Sequence, residues 1–337
     1  MNSKDNVTIS DIAQRAEVSP STVSRVLRGT TKVAEEKRLA VLNAVAELNY
    51  QPNIFAQGLA SGQSMVIGVL TQNFGSPFYD AIIQGVIQGL NKTNYFPIFA
   101  DGQWRPKKEL EAIQGMMQRQ IDGLIVLGGF LSVEELKPFA GNIPIVIAAR
   151  QLAGFEENCV YIDNVQASYM ATQHLIKLGH RQIAHISGRL DHRDAIDRKK
   201  GYLMALEEAE LVPNKELIIE GNFRRQSGVL AVEMLLSKQL SFSAIFVAND
   251  QMAFGTRLGL HRRGIRVPED VSLVGFDDEP TAAFMIPPLT TVRQPAIELG
   301  LESVRIMLAR LNGEAVNPNR LEANLIVRES TKMVMST

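Results

Sequence analysis

Hydroxyl and guanidinium side chains recur within a segment that the sequence predicts to be a short helix, residues 20–28. Ser19 is a suitable cap for this helix, and Pro20 at its first position loses nothing by lacking an N–H. The exposed face carries short polar or basic side chains: Ser21, Thr22, Ser24, Arg25 and Arg28. Hydroxyls donate to phosphates and base edges, and arginine pairs with guanine or phosphate. The pattern favours contact with DNA, although a small helical bundle with a polar outside would look the same.

Two further helices are predicted to position this segment. Thr8 and Asp11 mark the start of the first, and Glu17 and Val18 alone separate it from the second. Its apolar face is Ile9, Ile12, Ala13 and Ala16. A third helix is predicted over residues 35–49. Its buried stripe is expected to be Leu39, Leu42, Val45, Ala46 and Leu48. Two helices joined by a tight turn and locked by a third can lay one exposed helix in a major groove.

Composition places the chain among soluble globular proteins, with 337 residues, 45% hydrophobic, 21% charged and a net charge of -1. No apolar run resembles a leader or approaches the ~18 residues that span a bilayer, so we expect a cytoplasmic protein with no membrane partner. The single cysteine, Cys159, excludes an internal disulfide and is expected to be a small buried hydrophobe. The five histidines are not at metal-ligand spacing, and no glycine-rich phosphate loop is present. We therefore predict no metal, no cofactor and no catalysis.

From Met65 onward, short apolar strands alternate with amphipathic helices, which predicts parallel sheets covered on both faces. The strands are predicted at 66–70, 97–100, 123–127, 143–148, 182–187, 217–221, 244–248 and 271–276. The helices are predicted at 79–90, 109–119, 167–178, 198–209, 227–236 and 250–263. The series restarts after about Asn164, which favours two doubly wound α/β lobes. Ligands of such sheets bind beyond the carboxyl ends of the strands, and two facing lobes place those ends across a cleft.

Domain boundaries follow from these patterns. The predicted divisions are an all-α helix-turn-helix headpiece (1–50), a weakly helical hinge and linker (51–62) and an α/β core (63–337). Within the core, we expect an N-lobe of about 63–161 with 291–322, and a C-lobe of about 162–290 with 323–337.

Ordered motifs along nearly the whole chain carry a resemblance to a known family. The headpiece reads TISDIAQRAEVSPSTVSRVL and then LNYQPNIFAQGLA, followed by YIDN, LGHRQIAHISG, AIFVANDQMAFG, RVPEDVSLVGFDD, PPLTTVRQP and VREST. This series resembles the lactose/galactose repressor (LacI/GalR) family. The resemblance implies a dimeric regulator of double-stranded operator DNA, whose core is similar to periplasmic binding proteins and responds to a sugar-like or nucleoside-type effector.

The resemblance also assigns DNA-contacting residues. It implies that Pro20, Ser21 and Arg25 contact the bases. It also implies that Leu59 in the hinge inserts into the minor groove. The full predicted set is Thr8, Ser19, Pro20, Ser21, Thr22, Ser24, Arg25, Arg28, Asn53, Gln57 and Leu59. Two positions depart from the family pattern, because Ile54 stands where many members have a basic residue and Ala34 replaces the usual hydroxyl cap of the third helix.

Effector-contacting residues are assigned in the same way. Arg198 and Asp277 match the pair that holds polar groups of the ligand, and Asp250 matches a further cleft position. The full predicted set is Gln72, Phe78, Tyr79, His192, Asp194, Arg198, Phe223, Asn249 and Asp277. A structural ion pair is the alternative for Arg198 and Asp277, and core packing is the alternative for the phenylalanines. Ser76 and Ala149 replace the acidic or amide residues that the family often has there.

The function expected from these patterns is repression of a carbohydrate-utilisation operon, with operator affinity controlled by a small sugar-like effector. Two other classes fit parts of the chain: a sugar receptor serving a transporter, and an enzyme acting on sugar phosphates or nucleotides. Because only KMVMST follows VREST, without a heptad extension, a homodimer is expected.

Overall fold

The computed structural model describes residues 7–28, 33–50 and 63–334. The chain divides into two compact units, one ending at Ser64 and the other beginning at Met65. The predicted hinge, with Asn53, Gln57 and Leu59, lies outside the described residues.

The headpiece is built from the three predicted helices, α1 (Ile9–Arg15), α2 (Pro20–Arg28) and α3 (Glu35–Glu47). Thr8 and Asp11 form a reciprocal capping box at the start of α1, as their spacing predicts. Fully or nearly buried apolar side chains join the helices: Ile12, Ala13, Val23, Val41 and Ala44. This small core is what holds α2 in place.

The predicted buried face of α3 is wrong in part: Val45 and Leu48 pack in the headpiece core, but the other three predicted residues do not. Leu39 and Leu42 are 48% and 40% exposed, and Ala46 is exposed too. The helix instead packs through Val41, Ala44, Val45 and Leu48, spaced i, i+3, i+4 and i+7. Apolar residues occur all around α3, so periodicity alone does not choose its face. The packing partners on α1 and α2 choose it.

The N-lobe contains a parallel sheet of five described strands in the order β2-β1-β3-β4-β5. Its strands are β1 (Val66–Thr71), β2 (Phe96–Asp101), β3 (Gly123–Leu127), β4 (Ile145–Ala148) and β5 (Cys159–Val160). Its helices are α4 (Pro77–Leu90), α5 (Pro106–Met117) and α6 (Val133–Ala140). Cys159 is buried in the core of this lobe, as expected.

The C-lobe contains six described strands in the order β11-β10-β9-β8-β6-β7, of which only the β10–β11 pair is antiparallel. Its strands are β6 (Ile183–Ser187), β7 (Ile218–Glu220), β8 (Ala244–Val247), β9 (Ser272–Asp277), β10 (Thr290–Arg293) and β11 (Asn324–Ile326). Its helices are α7 (Asn164–Lys177), α8 (Arg193–Glu208), α9 (Arg225–Ser237) and α10 (Asp250–Arg262). The eight predicted strands and six predicted helices of the core all exist, with ends shifted by a few residues.

A last helix, α11 (Ala296–Leu311), returns to the N-lobe and packs against α4. The two helices approach closely because Gly85 and Gly300 face each other: an added Cβ on Gly85 would lie 2.1 Å from the Ile297 carbonyl oxygen. The preceding strand β10 pairs with β9 in the C-lobe sheet. The lobe boundary expected at 290–291 is therefore better placed after Arg293.

Candidate functional site

A cavity of about 960 Å³ lies where loops and helix starts beyond the strands of both lobes face each other. All nine residues predicted to contact an effector line it: Gln72, Phe78, Tyr79, His192, Asp194, Arg198, Phe223, Asn249 and Asp277. The first three come from the N-lobe and the other six from the C-lobe. The fold thus brings together residues that are more than 200 positions apart, while their role in binding stays a prediction.

Arg198 on α8 is held at the base of the cavity by several contacts. Its Nη1 donates to the carbonyl of Ala248 at 2.6 Å, its Nε donates to Oδ1 of Asn164 at 2.9 Å, and its guanidinium lies 3.9 Å from the ring centre of Phe276. The side chain is only 5% exposed. The guanidinium is therefore fixed before any ligand arrives, so its remaining N–H groups can bind without further ordering cost.

Asp277 is the last residue of β9, and its backbone takes the unusual φ of +115°. One carboxylate oxygen accepts from Nε2 of Gln294 at 2.6 Å and lies 3.8 Å from Nη1 of Arg198. The second distance exceeds a hydrogen bond, so the two charges face each other without a direct bond. Burial raises the pKa of Asp277 to about 7. This arrangement fits a ligand hydroxyl between carboxylate and guanidinium better than a closed structural ion pair.

Neighbouring Asn249 and Asp250 have different surroundings. Asn249 caps α10 by accepting from the N–H of Met252 at 3.0 Å, and its Nδ2 donates to the carbonyl of Phe223. Asp250 is fully buried, accepts from the Thr291 hydroxyl at 2.6 Å and does not line the cavity. The interpretation of Asp250 as a further cleft residue is therefore wrong, because its carboxylate joins β10 and the loop after β9 to α10.

Aromatic rings form a second wall of the cavity. The residue at the centre of this wall, Trp104, was not predicted from the sequence. Trp104, the only tryptophan of the chain, lies 5.7 Å from Tyr79, 5.5 Å from Phe130 and 4.4 Å from His192, measured between ring centres. His192 continues the series to Phe223 at 5.5 Å. The series therefore crosses from the N-lobe to the C-lobe. Trp104 follows a strand end, which was the available signal, but no motif marks it.

Gln72 and a buried glutamate support this wall. Gln72 is fully buried, and its Oε1 accepts from the N–H of Trp104 at 3.3 Å. Glu109 accepts from the N–H groups of Phe130 and Leu131, while Arg150 donates to carbonyls of the same loop. Burial raises the pKa of Glu109. These side chains fix the loops that present Trp104 and Phe130, and sequence reasoning missed Glu109 and Arg150.

His192 and Asp194 enter the cavity at the start of α8. His192 is 8% exposed, and its Nε2 has no hydrogen-bond partner among the described residues. Burial lowers the pKa of His192, so its ring is neutral near pH 7. Burial raises the pKa of Asp194. A buried polar atom without a partner is costly, so a ligand that hydrogen-bonds to it would be stabilised.

The headpiece places the predicted DNA-contacting side chains on its surface. Thr8, Ser19, Pro20, Ser21 and Arg25 are exposed, whereas Thr22 and Ser24 are half-buried. The Ser19 hydroxyl lies 2.8 Å from that of Ser21 and 2.9 Å from that of Thr22. Arg28 ends α2, and nothing is described of its side chain. The described set therefore presents a continuous polar edge at the start of α2.

Comparison with known proteins adds independent information. Residues 8–53 match the family described as bacterial regulatory proteins, lacI family, and residues 172–331 match the periplasmic binding protein-like domain. Catabolite control protein A of Priestia megaterium is 36% identical over 97% of this chain and 100% of that protein. The transcriptional regulator AscG of Escherichia coli is 33% identical over 98% and 99%.

Solved structures give the same result at the level of the fold. The lac repressor dimer bound to operator and the anti-inducer ONPF has a TM-score of 0.89 and 30% identity, covering 97% of this chain and 100% of that one. The complex of the transcriptional regulator CelR with cellobiose has a TM-score of 0.72 and 34% identity, covering 96% and 99%.

Proposed function

Because the chain belongs to the lacI family of bacterial regulatory proteins, and is thus a DNA-binding transcriptional regulator rather than an enzyme, we propose that it represses a carbohydrate-utilisation operon under the control of a sugar-like effector. The cavity between the lobes carries this proposal. It combines aromatic surfaces with a fixed guanidinium and a carboxylate, which is the set that a ring bearing hydroxyls requires. A transporter's receptor would need no helix-turn-helix unit.

The mechanism is linkage between two sites. Effector bound between the lobes favours one degree of lobe closure, and closure changes how the headpieces can be presented to the operator. A coupling free energy of about 1–3 kcal/mol, a factor of roughly 5–150 in affinity, is sufficient for control. Arg198 and Asp277 hold the ligand's polar groups, Asn249 and Asp194 add further contacts, and Trp104 and Phe223 offer ring faces.

For DNA contact, we assign the exposed edge of α2. Pro20 and Ser21 enter the groove first, Arg25 reads a base, and hydroxyls such as those of Thr8 and Ser19 donate to phosphates. Asn53, Gln57 and Leu59 are assigned to the hinge contact. Regulation at an operator locates the protein in the cytoplasm.

A homodimer is part of this proposal, since two headpieces are needed for a near-palindromic operator. Exposed apolar side chains of the C-lobe support it: Leu230, Met234, Leu258, Phe284 and Ile286. Leu230 and Leu258 line the same hollow of the surface. Light scattering of the purified chain should give the mass of a dimer, and a monomer at micromolar concentration would contradict this part.

Selection of duplexes from random sequence tests the function. The full chain should enrich a near-palindromic site, and Arg25→Ala should weaken binding to that site by about 1–3 kcal/mol while relaxing the preference at one position. Arg320→Gln, which changes an exposed arginine of the core, is the matched control. Absence of any enriched site at low salt would refute the proposal.

A further inference from the structure

The cavity between the lobes is lined by an excess of positive charge. Five arginines line it: Arg105, Arg189, Arg198, Arg224 and Arg225. Three aspartates line it, Asp101, Asp194 and Asp277, and no glutamate or lysine of the described residues does. Five positive minus three negative groups give a formal charge of +2. Burial raises the pKa of Asp277 to about 7, so this carboxyl is partly protonated near neutral pH and the positive excess is larger there. Burial also raises the pKa of Asp194.

Two of the arginines, Arg105 and Arg224, have no counter-charge in the part of the chain that the structure describes. Arg189 pairs with Asp191, Arg225 donates to Gln251, and Arg198 is held as described above. Arg105 and Arg224 are exposed, and neither guanidinium has a hydrogen bond or an ion pair within the described residues. Neutral sugars need donors and acceptors but no net charge, so two free guanidinium groups call for another explanation.

The positions of Arg105 and Arg224 reinforce each other. Arg105 is the cap residue of α5 in the N-lobe, and Arg224 is the cap residue of α9 in the C-lobe. Neither helix start receives a side-chain hydrogen bond from its cap residue. Helix N-termini carry partial positive charge and favour anions, so arginine at both caps adds charge where it is already unfavourable. Each lobe thus places an arginine at the start of a helix in the lining of the same cavity.

A separate observation indicates that a ligand completes this site. His192 lines the cavity and is 8% exposed, and its Nε2 has no hydrogen-bond partner among the described residues. The Oδ1 atom of the neighbouring Asp191 lies 3.7 Å from this Nε2, beyond hydrogen-bond distance, and already accepts a hydrogen bond from Arg189. A hydroxyl or an anionic oxygen of a ligand would supply the missing partner.

We propose that the effector is a hydroxylated molecule bearing a phosphate or carboxylate group, and that this anionic group lies between Arg105 and Arg224 and bridges the two lobes. The proposal rests on the proposed function, because it assigns a chemical class to the same effector. Arg198, Asp277 and Asn249 hold the hydroxylated part, and the aromatic wall around Trp104 packs against its ring.

The bridging position gives the anion a role in lobe closure. Without it, closure brings two uncompensated positive charges toward each other, which opposes the closed form. With it, each guanidinium gains a charge-assisted hydrogen bond that exists only when both lobes reach the ligand. The anionic group therefore makes the ligand bind the closed form more tightly than the open form, as a switch requires. A neutral ring at the base of the cavity would favour the closed form less strongly.

Trp104 provides the measurement, since it is the only tryptophan and lies in the cavity wall. The full chain is titrated with matched probes: ribose and ribose 5-phosphate, glucose and glucose 6-phosphate, glucose and glucuronate, and inorganic phosphate alone. At least one anionic probe should bind at least about tenfold more tightly than its neutral partner, a difference that decreases as salt rises. The sugar phosphates and the uronate distinguish a phosphate effector from a carboxylate effector.

Variants decide whether the two arginines are responsible. Arg105→Gln and Arg224→Gln should each reduce the preference for the anionic probe severalfold, and the double variant should remove it while the affinity for the neutral partner changes little. Arg320→Gln should leave the preference intact. Because all three positions are exposed, the variants should fold, and thermal unfolding checks this.

Three results would overturn the inference: equal or tighter binding of the neutral partners, a preference unchanged in the double variant, or no fluorescence response to any anionic probe. Failure here is separable from failure of the proposed function. If a neutral sugar binds and shifts operator affinity, the regulator stands and the anionic effector is wrong. If an anion binds through both arginines but operator affinity does not respond, the site stands and the proposed control is wrong.

Discussion

The headpiece and the α/β core differ in how deeply their candidate binding residues are buried. In the headpiece, the candidate DNA-contacting groups at the start of α2 are mostly exposed, and few fully buried side chains support them. In the core, the side chains of Arg198, Asp277 and His192 are at most 8% exposed, and large apolar clusters pack against the sheets of both lobes. Exposed groups need only a scaffold, whereas buried charges need a core large enough to offset their desolvation.

Reading DNA and sensing a ligand therefore depend on different kinds of stability. A destabilising substitution in the headpiece should unfold it as one small cooperative unit. A substitution in the cavity of the core should lower ligand affinity without unfolding the core. Changes in one unit should therefore leave the other intact, which the following variants test in order of decreasing effect.

Ile12→Ala should have the largest effect. Ile12 is fully buried at the centre of the headpiece, and such a truncation costs about 2–5 kcal/mol. A unit this small has little stability to lose, so operator binding should disappear in a gel-shift assay while the Trp104 fluorescence response to ligand remains. The matched control is Ile125→Ala, the same deletion in the N-lobe sheet, which should lower the core's melting temperature instead. Parallel loss of both activities in Ile12→Ala would contradict independence.

Arg198→Met should weaken effector binding next. The change removes hydrogen bonds from a charged group at the base of the cavity, which are worth about 1.5–3 kcal/mol, or roughly 10–150-fold in affinity. Titration followed by Trp104 fluorescence measures this, with thermal unfolding as the check on folding. Wild-type ligand affinity in the variant would show that Arg198 is structural only.

The pH dependence of stability should change in Asp277→Asn. Burial raises the pKa of Asp277 from 3.8 to about 7 in the folded chain. The folded state therefore holds this proton more tightly than the unfolded state, so the contribution of Asp277 to stability falls as pH rises from about 4 to about 7 and is level above that. Relative to wild type, the variant should gain up to about 1.4 kcal/mol per pH unit across this window. Urea unfolding at pH 5, 6, 7 and 8 measures it, and parallel profiles would contradict the shifted pKa.

Ala34→Ser should give the smallest change, and a favourable one. Ala34 precedes α3, is exposed and provides no side-chain hydrogen bond to the helix. A serine hydroxyl there accepts from a free N–H of the first turn, which stabilises a helix by about 1 kcal/mol. The headpiece transition should move to higher temperature while the core transition stays. No shift would mean that another group already satisfies this helix start.

Sequence patterns predicted elements best where burial is complete. The strands from Gly123 to Leu127 and from Ala244 to Val247 are continuous apolar runs, and their positions were predicted closely. Thr290–Arg293 reads as a polar segment, and Cys159–Val160 is too short to show a period, so both were missed. The face of α3 was predicted only in part, because neighbouring helices, not local periodicity, determine which side is buried.

The candidate site also combines residues that the sequence identifies with residues that only the fold reveals. Arg198 and Asp277 were found through the resemblance to the family, whose motifs recur along the chain, and the fold brings the two side chains to 3.8 Å from each other. Trp104, Glu109 and Arg150 belong to no such motif, and their importance emerges only when loops from different strands meet. Asp250 looked equivalent to its neighbour Asn249 in the sequence, but helix geometry turns its carboxylate into the protein.

The central claim is that occupancy of the interlobe cavity alters operator affinity. The direct test measures fluorescence anisotropy of the selected duplex at increasing concentrations of a ligand that saturates the Trp104 signal. We expect the dissociation constant for the duplex to change by roughly 5–150-fold at saturation, and Arg198→Met to shift the response to higher ligand concentration. A ligand that fully occupies the cavity and leaves the dissociation constant unchanged would contradict it.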